Sequence, residues 1–330
     1  MALQPVGRRC SELRRTVWRG AFSPANPPPY KGCATSAATR RDDMVREMFT
    51  TLIDTKTLAA HLADPAFTIV DCRYDLRDES WGEHEHAARH IPGAVSASLD
   101  RDLSGVKTGQ NGRHPLPDPT ELARTFSRLG IADGVQVVAY DQDNGSFASR
   151  LWWLLRWLGH DSVAVVDGGF ATWLAEGRPV RSGTETRPPR DFRGTPRAGW
   201  IVNAEEVRAL IGRGDWRLHD ARAPERYRGE IEPIDKVPGH IPGATNYFFQ
   251  QNLNEGGVFR PTEDLKARLQ ESLGGVSPDH VVCYCGSGVT ACHNLLALEH
   301  VGLLGAKLYP GSWSEWSSDP ARPIESSRGT

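Results

Sequence analysis

Short apolar runs alternate with amphipathic segments along most of the chain. The runs at 135–140 and 280–284 are short and almost wholly apolar, which predicts strands buried on both faces. Leu265, Leu269 and Leu273 recur every four residues and predict the apolar face of a helix. Gly159 and Gly302 end two further helical patterns, at 148–158 and 291–301. Strands that alternate with helices predict an α/β fold in which each parallel sheet carries helices on both faces.

The same order of strands and helices occurs twice along the chain. The ending Asp-x-Arg follows an apolar run at 71–73 and again at 220–222, and the string His-Ile-Pro-Gly-Ala stands at 90–94 and again at 240–244. A single repetition at an offset of about 150 residues indicates a duplicated domain and excludes a long array. We therefore predict two domains, at 48–179 and 200–330, joined by a linker at 180–199 that is rich in Arg, Pro, Gly and Thr.

The first 41 residues differ from this body in charge. They hold eight basic residues and one acidic residue, a local charge of +7, whereas the whole chain carries −2 and the remainder therefore −9. Arg-rich, acid-poor sequence resembles a mitochondrial transit peptide, and it equally fits sequence upstream of a start at Met44 or Met48. We favour the second explanation and predict disorder over 1–47. A cytoplasmic protein is expected, with a mitochondrial location as the alternative.

Composition narrows the class of protein. The apolar stretches are broken well short of the roughly 18 residues that a spanning helix needs, so no membrane association is expected. A net charge of −2 gives no general attraction to nucleic acid. Six cysteines in 330 residues are too few for a disulfide framework, and they favour a reducing compartment and a thiol role.

The two halves differ at the junction between one strand and the helix that follows it. The first half has Asp141 directly after its apolar run, whereas the second half has Cys285 followed by Gly286, Ser287 and Gly288. Loops at the carboxyl ends of parallel strands are where α/β sheets bind ligands. The two glycines permit a tight turn whose N–H groups converge on an anion, and the following helix adds its positive end. Both effects favour a thiolate, so we predict that Cys285 is a nucleophile.

Together these motifs resemble the tandem rhodanese-domain sulfurtransferases. The resemblance rests on Cys-Gly-Ser-Gly-Val-Thr-Ala at 285–291, on both His-Ile-Pro-Gly-Ala strings, on Arg-Tyr-Arg-Gly at 226–229 and on Gly-Ser-Trp-Ser-Glu-Trp at 311–316. It covers about residues 50–325 and is strongest for the branch that uses 3-mercaptopyruvate. It implies that the first domain lacks the nucleophile. It also implies that the cysteine of the second domain carries sulfur as a persulfide, with ping-pong kinetics and no cofactor.

The residues after the cysteine bear on the sulfur donor. Family members that prefer dianionic thiosulfate have basic side chains there, whereas this chain has the uncharged pair Gly286 and Ser287. The resemblance therefore implies the monoanionic donor 3-mercaptopyruvate, held in part by the loop residues Gly286, Gly288, Val289 and Thr290. Ser287 is expected either to bond the cysteine sulfur or relay a proton, or to be only a small turn residue.

Arginine is the residue type that suits the donor's carboxylate. Arg226 matches the family's carboxylate-binding arginine, since a guanidinium grips a carboxylate through two hydrogen bonds. Arg228 is a weaker substrate-binding candidate, with a structural ion pair as the simpler explanation. The family's second carboxylate arginine has no counterpart in the segment 232–236, where Lys236 is the cation that might replace it in charge alone.

The resemblance also implies that the first domain contributes to the catalytic cleft. His90 and an acidic residue just upstream, Asp78 or else Glu79, are expected to reach the cleft. The Asp-x-Arg pairs occur in both halves, so we interpret them as structural ion pairs at strand ends.

Other activities fit these motifs less well. A phosphatase with this loop geometry would need Arg at the sixth position after its cysteine, which is Ala291 here. A thiosulfate:cyanide sulfurtransferase is the main alternative, followed by a non-enzymatic sulfur carrier or protein-binding module.

No Cys/His cluster has zinc spacing, so no metal is expected. The expected partners are a small-molecule sulfur donor and an acceptor, which is a thiol, thioredoxin or cyanide, and we expect a monomer.

Overall fold

A computed structural model describes residues 48–327 of the chain. The predicted disorder over 1–47 therefore falls wholly outside the described residues. Two parallel sheets follow one another along the chain and helices surround both, so the predicted α/β class is confirmed. No helix within 48–327 is long and apolar enough to cross a lipid bilayer.

The first sheet has five parallel strands in the order β1-β5-β4-β2-β3. The strands are β1 (Leu52–Ile53), β2 (Phe67–Asp71), β3 (Val95–Ser96), β4 (Gln136–Tyr140) and β5 (Val163–Val166). The helices are α1 (Thr55–Ala60), α2 (Trp81–Ala88), α3 (Pro119–Arg128), α4 (Ala148–Trp157) and α5 (Gly169–Ala175). Every residue of β4 is buried, as its apolar run predicts.

The second sheet has four parallel strands in the order β7-β6-β8-β9. The strands are β6 (Arg217–Asp220), β7 (Thr245–Asn246), β8 (Val281–Tyr284) and β9 (Lys307–Leu308). The helices are α6 (Ala204–Leu210), α7 (Pro224–Tyr227), α8 (Thr262–Leu273), α9 (Thr290–His300) and α10 (Ser312–Trp316), with short 3-10 turns at Phe249–Asn252 and Pro278–His280. The three leucines of α8 are buried, as their spacing predicts.

The Asp-x-Arg endings form the same buried ion pair in both sheets. Arg73 Nη2 lies 2.7 Å from Asp71 Oδ2, and Arg222 Nη2 lies 2.6 Å from Asp220 Oδ2. Each guanidinium also donates to a backbone carbonyl, that of Arg89 in the first sheet and that of a glycine in the second, at 2.7 Å in both. These pairs fix the ends of β2 and β6 and have the structural role that the repetition indicates.

The two sheets meet through the helices that follow β4 and β8. Helices α4 and α9 pack against each other, and Arg156 of α4 forms an ion pair with Glu299 of α9 at 2.7 Å. Trp152 and Trp153 on α4 are fully buried in this contact region. The contact brings the carboxyl ends of β4 and β8, and the loops that follow them, to the same part of the molecule.

Candidate active site

Cys285 is the first residue after β8, where it begins the loop that leads into α9. The residue is buried, with 2% of its surface exposed, and its Sγ accepts a hydrogen bond from the N–H of Gly288 at 3.1 Å. Gly288 has φ +76°, and an added Cβ would lie 2.5 Å from the carbonyl oxygen of Pro310, so the sharp turn requires glycine here. The turn directs the N–H of Gly288 toward the sulfur, and a backbone N–H in this position stabilises an anion.

A second turn holds this loop from behind. The N–H groups of Trp313 and Ser314 donate to the carbonyl oxygens of Cys285 and Gly286, both at 2.9 Å. The hydroxyl of Ser312 accepts from the N–H of Cys285 at 3.1 Å. The carbonyls are thereby engaged away from the sulfur, and the loop cannot rotate its N–H groups outward without losing these bonds.

Asp141 occupies the matching position after β4 in the first domain, and its carboxylate fills the turn that it begins. It accepts from the N–H groups of Gly145 at 2.9 Å, Phe147 at 2.8 Å and Ala148 at 3.1 Å. The side chain is fully buried, and burial raises its pKa above the ordinary value. The first domain therefore satisfies its own anion-binding turn and leaves no room there for a ligand.

A cavity of about 220 Å³ opens above the cysteine and is lined by both domains. The first domain contributes Leu76, Arg113 and Phe147 to its wall. The second domain contributes the loop and the segments around it, which are Ala221, Arg222, Ala223, Arg226, Ile234, Phe248, Phe249, Cys285, Gly286, Ser287, Val289 and Thr290. A larger cavity of about 730 Å³ adjoins it and shares Leu76, Phe147 and Ile234.

Arg226 lies at the end of α7 with its guanidinium beside the loop. Both of its Nη atoms are 3.6 Å from the point that a Cβ on Gly286 would occupy. Its Nη2 donates to Glu232 Oε1 at 2.7 Å and to Asp235 Oδ2 at 3.1 Å. These two acids hold the guanidinium group of Arg226 in place, so that it faces the space next to Cys285.

Ser287 is hydrogen-bonded to a histidine of the other domain. Its Oγ lies 2.8 Å from Nδ1 of His114, whose Nε2 lies 3.6 Å from Asp100 Oδ1. Burial lowers the pKa of His114 to about 3, so the imidazole is neutral at physiological pH. Burial opposes ionisation of Asp100 as well, but bonds from Lys107 and Tyr74 hold the pKa of its carboxyl below the ordinary value. A hydroxyl, a neutral imidazole and a carboxylate in this order can pass a proton.

Comparison with known proteins identifies the family to which the chain belongs. The chain matches the family described as Rhodanese-like domain at residues 54–176 and again at 203–319. The chain belongs to the rhodanese family. The resemblance found in its motifs is thereby confirmed, and so are the two rhodanese-like domains.

Some of the similar proteins are named for 3-mercaptopyruvate as the sulfur donor, and others are named for thiosulfate. The chain is 48% identical over 275 residues to a Pseudomonas aeruginosa protein named "Probable 3-mercaptopyruvate sulfurtransferase", covering 83% of this chain and 97% of that protein. It is 34% identical over 280 residues to the thiosulfate sulfurtransferase of Cricetulus griseus, covering 82% and 92%. The structure of 3-mercaptopyruvate sulfurtransferase from Leishmania major superposes with a TM-score of 0.71 at 31% identity, covering 81% of this chain and 74% of that one.

Five of the residues considered for the site from sequence lie away from the cavity. Asp78 is exposed and accepts from Ser80 at 2.9 Å, and Glu79 beside it is exposed as well. His90 is fully buried in the first domain, where its Nδ1 lies 2.7 Å from the carbonyl oxygen of His86. Arg228 is paired with Glu230 at 2.7 Å on the surface, which is the structural role considered for it. Lys236 is also exposed and does not line the cavity.

The acid and the histidine that do reach the site are Asp100 and His114. They lie in the irregular segment between β3 and α3, where no periodicity marks them. The duplication did offer a signal, because His90 has the equivalent His240 in the second half, whereas Gln250 stands 150 residues after Asp100. The chain carries this site once, although the domain occurs twice. A titratable residue without an equivalent in the other half is therefore a better candidate for that site than a residue that occurs in both halves.

Arg150 of α4 connects the catalytic loop to that irregular segment. Its side chain is fully buried, Nη1 donates to the carbonyl of Gly288 at 3.1 Å, and Nη2 donates to the carbonyls of His114 and Pro115 at 3.1 and 3.4 Å. One guanidinium thus fixes the loop that carries the sulfur and the segment that carries the imidazole. The sequence does not predict this role, because the pattern of an apolar helix does not reveal which distant segment its one arginine contacts.

The other cysteines near the site are buried thiols. Burial raises the pKa of Cys283, and it raises that of Cys292 to about 12. Cys292 donates its S–H to the carbonyl of Gly288 at 3.3 Å. No group of three or more metal-ligating side chains occurs within the described part of the chain.

Proposed function

We propose that this sulfurtransferase takes its sulfur from 3-mercaptopyruvate, holds it as a persulfide on Cys285 and passes it to a thiol or cyanide acceptor. Support for the sulfur chemistry comes from relatives that are named sulfurtransferases and that align with most of this chain. Support for the position comes from the buried loop, which offers the sulfur of Cys285 the N–H of Gly288 and the positive end of a helix.

The first half-reaction moves one sulfur atom and one proton. The thiolate of Cys285 attacks the thiol sulfur of 3-mercaptopyruvate, and the bond between that sulfur and the donor's methylene carbon breaks. The electron pair of this bond leaves on carbon as the enolate of pyruvate. The proton of the donor thiol must then reach that enolate, which gives pyruvate and the cysteine persulfide with no change in total charge.

The hydrogen bond between Ser287 and His114 is the observation that favours this donor. The Ser287 hydroxyl lies on the cavity wall two residues from the sulfur, and it is bonded to an imidazole that burial keeps neutral. A neutral imidazole can accept a proton at one nitrogen and return it, and the carboxylate of Asp100 lies 3.6 Å from the other nitrogen. Thiosulfate transfers its sulfur and leaves as sulfite without any proton transfer, so it has no use for this relay.

The charge around the sulfur also suits a carboxylate donor. The loop has no basic side chain at Gly286 or Ser287, and the N–H of Gly288 donates to the sulfur. Arg226 presents its guanidinium beside Gly286, where Nη1, the nitrogen that Glu232 and Asp235 do not engage, can donate to the carboxylate of 3-mercaptopyruvate. In this proposal Gly286, Gly288, Val289 and Thr290 bind the donor through the loop that they form.

Thiosulfate is the second candidate donor, because a relative that covers most of the chain bears that name. The ratio of kcat/KM for 3-mercaptopyruvate to kcat/KM for thiosulfate, with cyanide as acceptor for both, decides between the two. We expect the ratio to exceed one by at least about tenfold. A ratio below one would assign the chain to thiosulfate, and Cys285→Ser should abolish both activities.

The acceptor is proposed from chemistry alone. A persulfide gives up its outer sulfur to a thiolate or to cyanide, so a small thiol, thioredoxin and cyanide are the acceptors to compare. A reducing compartment, such as the cytoplasm, would supply thiols and keep Cys285 reduced.

A further inference from the structure

The irregular segment of the first domain brings a second guanidinium to the cavity above Cys285. Arg113 directly precedes His114 and lines the same cavity as Arg226. Its backbone N–H donates to Ser314 Oγ at 3.1 Å, in the turn that holds the catalytic loop. The preceding Gly112 has φ +85°, and a Cβ there would lie 2.7 Å from the carbonyl oxygen of Gly311. The backbone of this segment is therefore seated closely on the second domain.

The two guanidinium groups face the same point beside the cysteine. A Cβ on Gly286 would lie 2.7 Å from Arg113 Nη2 and 3.6 Å from both Nη atoms of Arg226. Glycine at 286 leaves this point open, so that a small ligand seated over Cys285 meets both forks. Arg113 keeps 28% of its side chain exposed, and its buried Nε has no hydrogen-bond partner among the described residues.

One carboxylate holds both forks in position. Asp235 is ion-paired with Arg113 through one oxygen and with Arg226 through the other, at 3.1 Å for the latter, and its side chain is 5% exposed. Within the described chain Arg113 has no other acidic partner, so it shares its single counter-ion with Arg226. Arg226 is paired with Glu232 as well, so the two guanidinium groups face two carboxylates, and a bound carboxylate would take the N–H groups that these acids leave unused.

We propose that Arg113 is a specificity-determining residue that binds the donor's carboxylate together with Arg226, so that the donor site is built from both domains. This inference rests on the proposed function, because it concerns the donor of that reaction. It explains how a loop with no basic side chain at 286 and 287 holds an anionic donor, since the second cation arrives from the other domain. A merely structural Arg113 would instead serve to join the two domains through Asp235.

The test compares donors with and without a carboxylate. Mercaptoacetone has the thiol, methylene and carbonyl of 3-mercaptopyruvate but a methyl group in place of the carboxylate. For Arg113→Gln we expect KM for 3-mercaptopyruvate to rise about ten- to a hundredfold with kcat within about threefold, because the contact is remote from the reacting sulfur. The value of kcat/KM for mercaptoacetone should change less than about threefold. Inhibition by pyruvate, which keeps the carboxylate, should weaken in parallel with KM.

Three further variants make the result decisive. Arg113→Lys keeps the charge without the fork and should raise KM by an intermediate factor, which serves also if the glutamine variant fails to fold. Arg77→Gln removes an exposed arginine near the adjoining cavity and controls for a general loss of positive charge. Asp235→Asn removes the charge that pairs with both guanidinium groups but keeps an acceptor oxygen to position them, so it should raise KM for 3-mercaptopyruvate less than Arg113→Gln does.

Two results would overturn the assignment of Arg113. The first is an equal loss of kcat/KM for 3-mercaptopyruvate and mercaptoacetone in Arg113→Gln. The second is a rise in KM in Asp235→Asn that matches the one in Arg113→Gln. Failure of the proposed function looks different, because the wild-type protein would then turn over thiosulfate in preference to 3-mercaptopyruvate.

Discussion

His114 Nδ1 and Ser287 Oγ lie 2.8 Å apart, although 173 residues separate them and they belong to different domains. The first domain has lost its own anion site to the carboxylate of Asp141, yet it supplies the imidazole next to the nucleophile of the second. The first domain, which has Asp141 at the position of Cys285, therefore forms part of the wall of the cavity above Cys285.

Removing either partner of the hydrogen bond between Ser287 and His114 should slow the reaction with 3-mercaptopyruvate much more than the reaction with thiosulfate. We predict that Ser287→Ala and His114→Gln each lower kcat for 3-mercaptopyruvate about a hundredfold, the range of a lost acid–base group, and change kcat for thiosulfate less than about threefold. Steady-state kinetics with both donors and one acceptor measure the difference. Equal losses for the two donors would show that the pair shapes the loop and moves no proton.

Arg150 should matter both for stability and for the geometry of the site. Arg150→Met leaves the carbonyls of Gly288 and His114 without their buried donor, so we predict a loss of about 2–4 kcal/mol in the free energy of unfolding and slower alkylation of Cys285. Urea unfolding and iodoacetamide kinetics measure the two effects.

The control for Arg150 lies on the same helix. Arg156→Met breaks the ion pair with Glu299 and should lower stability without slowing alkylation. If both variants slow alkylation equally, Arg150 acts only by joining the helices α4 and α9.

Asp141 should contribute to stability and not to catalysis. Asp141→Ala leaves the N–H groups of Gly145, Phe147 and Ala148 without their buried acceptor, and we predict a loss of about 2–4 kcal/mol in the free energy of unfolding. Asp141→Asn keeps one acceptor oxygen and should lose less. Thermal unfolding measures the order, and a change in the ratio of the two donors' kcat/KM values would contradict a purely structural role.

Buried histidines should make stability depend on pH. Burial lowers the pKa of His114 to about 3 and those of His219 and His293 to about 4, whereas an unfolded chain protonates histidine near pH 6.5. Unfolding therefore takes up protons between these values, so the contribution to stability is complete above about pH 7 and is lost as the pH falls toward 4. We predict a decrease of about 1–2 kcal/mol for each histidine between pH 7 and pH 5.

Urea unfolding at several pH values tests this dependence. His219 lies on β6, and its Nε2 is 3.3 Å from the carbonyl oxygen of Ser272 rather than in the catalytic cavity. A His219→Asn variant should show a shallower dependence than the wild type. A free energy of unfolding that is equal at pH 5 and pH 7 would contradict the account.

Local patterns were sufficient to predict several of the elements and the position of Cys285 at the end of a strand. The apolar runs gave β4 and β8, whose residues are all buried, and the comparison of Asp141 with Cys285 located the two equivalent turns. These inferences succeed because burial and turn chemistry act over a few neighbouring residues. The repeated Asp-x-Arg ending was likewise recognisable as structural because both halves need it.

The residues that complete the cavity could not be predicted in the same way. Asp100, Arg113 and His114 lie in an irregular segment, and the partners of Arg113 and His114 stand more than a hundred residues away in the second domain. Only the packing of α4 on α9 decides what this segment faces. Asp78 and His90 were expected at the cleft by resemblance, and the tertiary structure places one on the surface and the other in the core.

The most direct measurement is the mass of the cysteine peptides after the enzyme meets 3-mercaptopyruvate without any acceptor. We predict one added sulfur atom on the peptide that contains Cys285, one equivalent of pyruvate released, and no added sulfur in Cys285→Ser. Sulfur on Cys72 or Cys292, or pyruvate release without sulfur on Cys285, would contradict it.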